Sequence, residues 1–139
     1  MPLRVVVDCN VYVSLLIGGS LVDLRDHLLS DAVELILSRR LITEIEEQTT
    51  KTKFAKYFTP DQAVALVQLL LEVGELHGDQ AASPAISRDP DDDYLLALAK
   101  RAKADVLLTG DKDLLVLAKH GRTRILNPAA FRREHLKGK

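Results

Sequence analysis

Ala104-Asp105-Val106-Leu107-Leu108-Thr109-Gly110-Asp111 is a short apolar run that stops abruptly on polar residues. Near the start of the chain, Val5-Val6-Val7-Asp8-Cys9-Asn10 does the same. Short runs that are apolar at successive positions suit strands buried on both faces, as in a parallel sheet. Working outward from these two, the candidate strands are Arg4–Asp8, Val33–Leu37, Gly74–His77, Asp105–Thr109 and Thr123–Leu126. The third is brief, because Gly74 and Gly78 bracket very little.

Longer amphipathic segments alternate with these runs, and that alternation predicts an α/β fold with a mostly parallel sheet. Thr59-Pro60-Asp61-Gln62 reads as a capping box with Pro at the first helical position, ahead of Val64–Val73. Ser38 is placed to cap a helix over Arg39–Gln48. The Gly18-Gly19 break precedes a helix over Leu21–Leu29. Further helices are expected from Asp91 to Ala102, from Leu114 to Lys119 with Gly121 as its stop, and from Pro128 onward.

The chain has 139 residues, 47% hydrophobic and 28% charged, which suits one globular domain spanning residues 1–139. Aromatics make up only 4%, so the core must be built from Leu, Val, Ile and Ala. The net charge of -1 gives no global sign of a nucleic-acid binder, and any phosphate contact must come from a local patch. Cys9 is the only cysteine, which excludes an internal disulfide and suits a reducing cytoplasm. No apolar run is long enough to span a membrane, and the N-terminus has no signal-peptide pattern. The expectation is a cytoplasmic protein.

Ligands of an open parallel sheet bind beyond the carboxyl ends of its strands. The first strand ends in Asp8-Cys9-Asn10 and the fourth in Thr109-Gly110-Asp111, so Asp8 and Asp111 can converge on one crevice. Either could instead only cap the helix that follows. In Arg39–Gln48 the inward stripe is Leu41, Ile42 and Ile45. Glu44 lies at the edge of that stripe, whereas Glu46 and Glu47 point away. A carboxylate there needs either a cationic partner or a metal.

Asp89-Pro90-Asp91-Asp92-Asp93 opens the next helix, where the macrodipole favours acids in any case. Asp92 continues the stripe of Leu95, Leu96, Ala99 and Ala102, and Asp93 is rotated away by about 100°. Asp92 is therefore the expected principal ligand and Asp93 its neighbour. Hard carboxylates with no softer donor suit Mg²⁺ or Mn²⁺. The four histidines are scattered, with no pair at metal-ligand spacing, and no Gly-rich phosphate loop or Ser/Cys nucleophile motif is present.

Three segments also carry a family resemblance: Val5 to Ser14, Asp89 to Ala99, and Ala104 to Leu115. Through them the chain resembles a PIN domain over nearly its whole length, especially the VapC-like branch of toxins from toxin–antitoxin systems. The Glu44 segment matches more loosely. The resemblance implies a Rossmann-like α/β/α sandwich and metal-dependent ribonuclease activity. It also implies homodimers and products with a 5′-phosphate and a 3′-hydroxyl, and its toxin branch makes an antitoxin protein a candidate partner. Asp8, Glu44, Asp92 and Asp111 fall on the family's acidic quartet. Asn10, Ser14 and Thr109 fall on polar positions beside it, and Asp113 adjoins Asp111. Asn10 or Thr109 is expected to orient a water or phosphate.

RNA needs cations to hold it. Lys51, Lys53 and Lys56 interleave with Phe54, Tyr57 and Phe58, a pattern that grips single-stranded RNA when the rings are exposed. The alternative is that the rings pack inward and leave the lysines solvated. Two rival functions are a phosphohydrolase acting on a small phosphate ester and a non-catalytic binding module that keeps the fold. Against the first, Asn10 stands where such phosphatases carry a second Asp.

Overall fold

The computed structural model describes residues 2–78 and 93–136. Its centre is a six-stranded sheet in the order β3-β2-β1-β4-β6-β5. The strands are β1 (Leu3–Val7), β2 (Val33–Ser38), β3 (Glu75–His77), β4 (Val106–Leu108), β5 (Lys119–His120) and β6 (Thr123–Leu126). All neighbours pair parallel except β5 and β6, with registers such as Leu3 opposite Val33, Val5 opposite Val106 and Leu108 opposite Leu126. Val5, Val6 and Val7 are each fully buried, as a central strand covered on both faces requires. The α/β fold with a mostly parallel sheet expected from the alternation of runs is thus the observed one, and it is consistent with the α/β/α sandwich that the resemblance implies.

The helices are α1 (Cys9–Ile17), α2 (Val22–Leu28), α3 (Arg39–Thr49), α4 (Pro60–Val73), α5 (Asp93–Arg101), α6 (Lys112–Leu115) and α7 (Pro128–His135). The capping box at α4 is complete: Gln62 N–H donates to Thr59 Oγ1 at 3.1 Å, and Thr59 N–H donates to Gln62 Oε1 at 2.8 Å. Ser38 accepts from Leu41 N–H at 3.2 Å to start α3. α3 packs on α1 and α4, α5 packs on β1 and β4, and α6 and α7 flank β6.

Gly74 ends α4 because no side chain fits there. A Cβ would come within 2.8 Å of the Leu70 carbonyl oxygen and would also strike the Leu37 side chain. Directly after Gly74, Glu75 Oε1 accepts from Arg4 at 2.8 Å, and Arg4 also donates to the Ala102 carbonyl at 2.8 and 3.0 Å. One guanidinium therefore ties β1 to β3 and to the turn after α5.

Two local expectations need correction. The helix expected over Leu114 to Lys119 ends at Leu115. Lys119 and His120 instead form β5, which folds back on β6 through a two-residue turn at Gly121 and Arg122. Gly121 has φ +60°, so it serves a hairpin turn and does not stop a helix. The second concerns Cys9–Ile17: a helix after Asp8 entered only as something for Asp8 to cap, with no bounds, and α1 occupies this whole stretch.

Candidate functional site

β1 and β4 lie side by side at the centre of the sheet, with the parallel strands β2 and β6 on opposite sides of the pair. This is the topological switch point, where a crevice opens beyond the strand ends. Asp8 extends β1 by one residue: its N–H donates to the Leu108 carbonyl at 2.9 Å. It is also the N-cap of α1, but the cap bond from Asn10 N–H to Oδ1 is long, at 3.4 Å. The other oxygen is held firmly, since Thr109 Oγ1 donates to Asp8 Oδ2 at 2.7 Å. These two residues are 101 positions apart, and one hydrogen bond joins the ends of both central strands.

Thr109 is fully buried and uses its whole hydroxyl on the protein. While donating to Asp8, its oxygen accepts from Asp111 N–H at 3.0 Å. Thr109 thus positions both aspartates, where the expectation was that it or Asn10 orients a water or phosphate. Asp111 in turn caps α6, accepting from Asp113 N–H at 2.8 Å. Burial pushes the pKa of Asp8 up and the Thr109 bond works against that rise, while the charge of Asp111 adds to it. A carboxylate only 6% exposed is expensive to keep ionised without a compensating cation.

Glu44 reaches the same region from α3. The helix buries Leu41, Ile42 and Ile45, leaves Glu46 and Glu47 exposed, and holds Glu44 half-buried at the boundary. Arg40, one turn earlier, places Nε 3.7 Å from Glu44 Oε1 and its guanidinium carbon 4.2 Å from the Tyr94 ring centre. Sequence reasoning missed both Arg40 and Tyr94. The available signals were the spacing of Arg40 to Glu44 by one helical turn, and Tyr94's place directly after the acidic run.

Tyr94 marks the start of the described part of α5. It follows Asp93, the first residue of α5, and its buried phenol is held protonated first by desolvation, then by the charges of Glu44 and Asp8. The start of α5 therefore faces both carboxylates. Asp92 lies outside the described residues, and so does its expected inward phase. The stripe it would continue is in place, with Leu95, Leu96, Ala99 and Ala102 buried. Cys9, beside Asp8, is no nucleophile: burial, then Glu44, push its thiol up to about 12.

Among the described residues, no three acidic, histidine or cysteine side chains form a group able to hold a metal. Even so, the donor chemistry fits a hard divalent cation, since Asp8, Glu44 and Asp111 offer only carboxylate oxygens. The histidines lie elsewhere: His27 and His135 pack on the Phe131 ring, His77 pairs with Glu75, and His120 is in β5. Ser14 turns its hydroxyl onto the Asn10 carbonyl at 3.0 Å, within α1, and Asn10 is exposed at the mouth of the crevice.

Lys51, Lys53 and Lys56 are exposed just after α3. Lys53 lies 5.1 Å from the Phe54 ring centre and Lys56 lies 5.2 Å from that of Tyr57. Phe54 and Phe58 stack at 5.8 Å, Phe58 is buried, and only Tyr57 of the three rings is largely open to solvent. Most of the aromatic interleaving is therefore core packing. The charge of Lys51 does reach the site, where it opposes the rise in the Cys9 pKa.

Comparison with known proteins agrees with this geometry. Among curated proteins none matches the chain. The PIN domain family model matches residues 4–113, which takes in Asp8, Thr109, Asp111 and everything described between them. With that match over most of its length, the chain belongs to the PIN domain family.

Proposed function

We propose that the chain is a Mg²⁺- or Mn²⁺-dependent ribonuclease, and that it is the toxin component of a toxin–antitoxin system acting in the cytoplasm. PIN domains are generally metal-dependent nucleases. The observation that carries the reading is the buried Asp8 carboxylate, held by Thr109 at the switch point with Asp111 and Glu44 acting on the same space.

Asp8, Glu44, Asp92 and Asp111, with Asp93 beside them, would hold the cation. When bound, the cation supplies a more acidic water and charge neutralisation at the phosphate. The protein's own residues set the stage. Thr109 fixes the direction of the Asp8 carboxylate and, through the Asp111 amide, the start of α6. Arg40 steadies Glu44. Tyr94 stays neutral, so it adds no further negative charge to repel phosphate. Burial of Asp8 keeps bulk water from competing for its oxygens. Asn10, exposed beside Asp8, is placed to meet substrate, and Lys51, Lys53 and Lys56 supply cations for the RNA backbone.

The helix α4 leaves Val64, Leu69, Leu71 and Val73 exposed, surface suited to a homodimer or an antitoxin. The test compares RNA, DNA and a small phosphomonoester in the presence of Mn²⁺, using wild type and Asp8→Asn cleared of contaminating nuclease. RNA cleavage by the wild type alone is the expected result. Cleavage of only the phosphomonoester, or RNA cleavage by both proteins at one rate, rejects the proposal.

A further inference from the structure

Arg40 is the second residue of α3, and helix stability does not account for it. A cation in the first turn opposes the helix macrodipole. Its partner Glu44 follows one turn later, and Arg before Glu is the weaker order for a helical ion pair. The two meet through Arg40 Nε, 3.7 Å from Glu44 Oε1 and beyond ordinary hydrogen-bond length. Their side chains are 45% and 32% exposed, so such a pair adds little to the stability of the fold. The firmer seat comes from another element. The guanidinium carbon lies 4.2 Å above the centre of the Tyr94 ring, which the start of α5 supplies. A planar cation lying on an aromatic face keeps its charge and holds its fork of donors in one orientation.

We infer that Arg40 is a substrate-binding residue that exchanges one anion for another: it rests against Glu44 in the free protein and holds a backbone phosphate of the RNA once the charge of Glu44 is neutralised. This rests on the ribonuclease reading above. Position supports it. Ser38 ends β2 and caps α3, and β2 runs parallel to β1, so Arg40 stands at the edge of the sheet where Asp8 follows β1. Asp8, Glu44 and Asp111 repel a phosphate that approaches this edge, and Arg40 is a cation already set against one of the three. Its contact with Glu44 is long and open to solvent, whereas its seat on Tyr94 serves either pairing. A guanidinium also suits phosphate better than an ammonium does, because two parallel N–H donors match two phosphate oxygens. Such a contact fixes the strand without reading its bases.

The test is a double-mutant cycle on the full chain in EDTA, where metal-dependent cleavage is off. Binding of a short fluorescein-labelled single-stranded RNA is read by anisotropy for wild type, Arg40→Gln, Glu44→Gln and the double variant. Glu44→Gln should tighten binding, since it removes a repelling charge and releases Arg40. Arg40→Gln should matter little while Glu44 is present. In the Glu44→Gln background it should weaken binding about tenfold, the scale of one charge-assisted contact. There it should also reduce the slope of log affinity against log salt by about 0.7. Arg40→Lys in that background should keep the salt slope and still lose affinity, because it keeps the charge without the fork. Melting temperatures should stay close to that of wild type, because both side chains lie at the surface. Equal effects of Arg40→Gln in the two backgrounds overturn the inference, and so does a larger effect with Glu44 present, which would make Arg40 only a support for Glu44. The expected coupling in a protein that never cleaves RNA in Mn²⁺ would sink the ribonuclease reading and leave the Arg40 assignment standing. Mn²⁺-dependent cleavage without the coupling would do the reverse.

Discussion

Asp8→Asn tests whether the most buried carboxylate described in the site is kept for folding or for a metal. Asp8 is 6% exposed and shares its surroundings with Asp111. Removing its charge ends both the desolvation cost and the repulsion. Asn keeps the shape, and its carbonyl can still accept the 2.7 Å bond from Thr109. With that oxygen committed to Thr109, the Asn side chain turns its NH₂ toward Asn10 N–H, so α1 loses its cap bond, a weak one at 3.4 Å. The net effect in chelator is a gain of about 1 kcal/mol, within the span of relieved functional-site strain. For a chain of this size that raises the melting temperature by about 4 °C.

Adding Mn²⁺ should invert the order. At about ten times its dissociation constant the ion stabilises the wild type by about 1.4 kcal/mol, and the variant gains nothing. Cleavage should fall about a thousandfold, equivalent to about 4 kcal/mol of transition-state stabilisation. Scanning calorimetry of both proteins in EDTA and in Mn²⁺ reads the two stability differences directly. A variant less stable than wild type in EDTA by about 2 kcal/mol would show that Asp8 is a structural cap, on the scale of a lost N-cap. Equal Mn²⁺ shifts in both proteins would place the metal elsewhere.

Thr109→Val removes the donor to Asp8 and the acceptor for Asp111 N–H, both in a buried place. It should cost about 1–3 kcal/mol in urea unfolding, and a loss below about 0.5 kcal/mol would contradict the bridging role. Asp92→Ala should lower the cleavage rate about tenfold more than Asp93→Ala, a difference of about 1.4 kcal/mol; equal rates would mean α5 is rotated or begins elsewhere. Glu75 has its pKa pulled down to about 2 by its hydrogen bonds from Arg4, so it adds stability above the ordinary carboxylate range that is lost as pH falls toward 2. Glu34, pushed up chiefly by Glu75, offsets part of this. Glu75→Gln should flatten the acid limb of stability, by less than about 1 kcal/mol because Glu75 is about one-third exposed; an unchanged limb refutes the assignment. Sedimentation at high micromolar concentration should show a dimer that Leu71→Glu on α4 disrupts, and a wild-type monomer would count against the apolar face as an interface.

What could be read from the residues follows from how local each signal is. The caps at Thr59 and Ser38 are complete within four residues, so each is legible in one short stretch of chain. β6 has the expected bounds although Arg124 interrupts its run, whereas the two central strands announce themselves by continuous apolar runs, Val5 to Val7 in β1 and Val106 to Leu108 in β4. The helix α1 does not: Cys9, Val11, Tyr12, Val13 and Leu15 are all buried, and a helix apolar on several sides shows no 3.6-residue period. The hairpin of β5 and β6 was hidden because its two-residue strand has no pattern of its own, and Leu114 to Lys119 has helix-like spacing.

The site divides in the same way. Strand-ending aspartates mark where Asp8 and Asp111 lie, and helical phase places Glu44 at its boundary. The hydrogen bond from Thr109 to Asp8 could not be foreseen, since it depends on β1 and β4 being neighbours in space. The clamp of Arg40 on Glu44 and Tyr94 needs the packing of α3 against the start of α5, which no local pattern encodes.

The two outer strands carry a consequence for assembly. β3 has three residues and β5 has two, and each carries a charged side chain, Glu75 on one and Lys119 on the other. Among the described residues neither rim offers a ladder long enough to template another strand, so these edges resist growth by chain addition. Association of this molecule, with its own kind or with another protein, is thereby directed to helix surfaces, where side-chain shape and not backbone hydrogen bonding selects the partner.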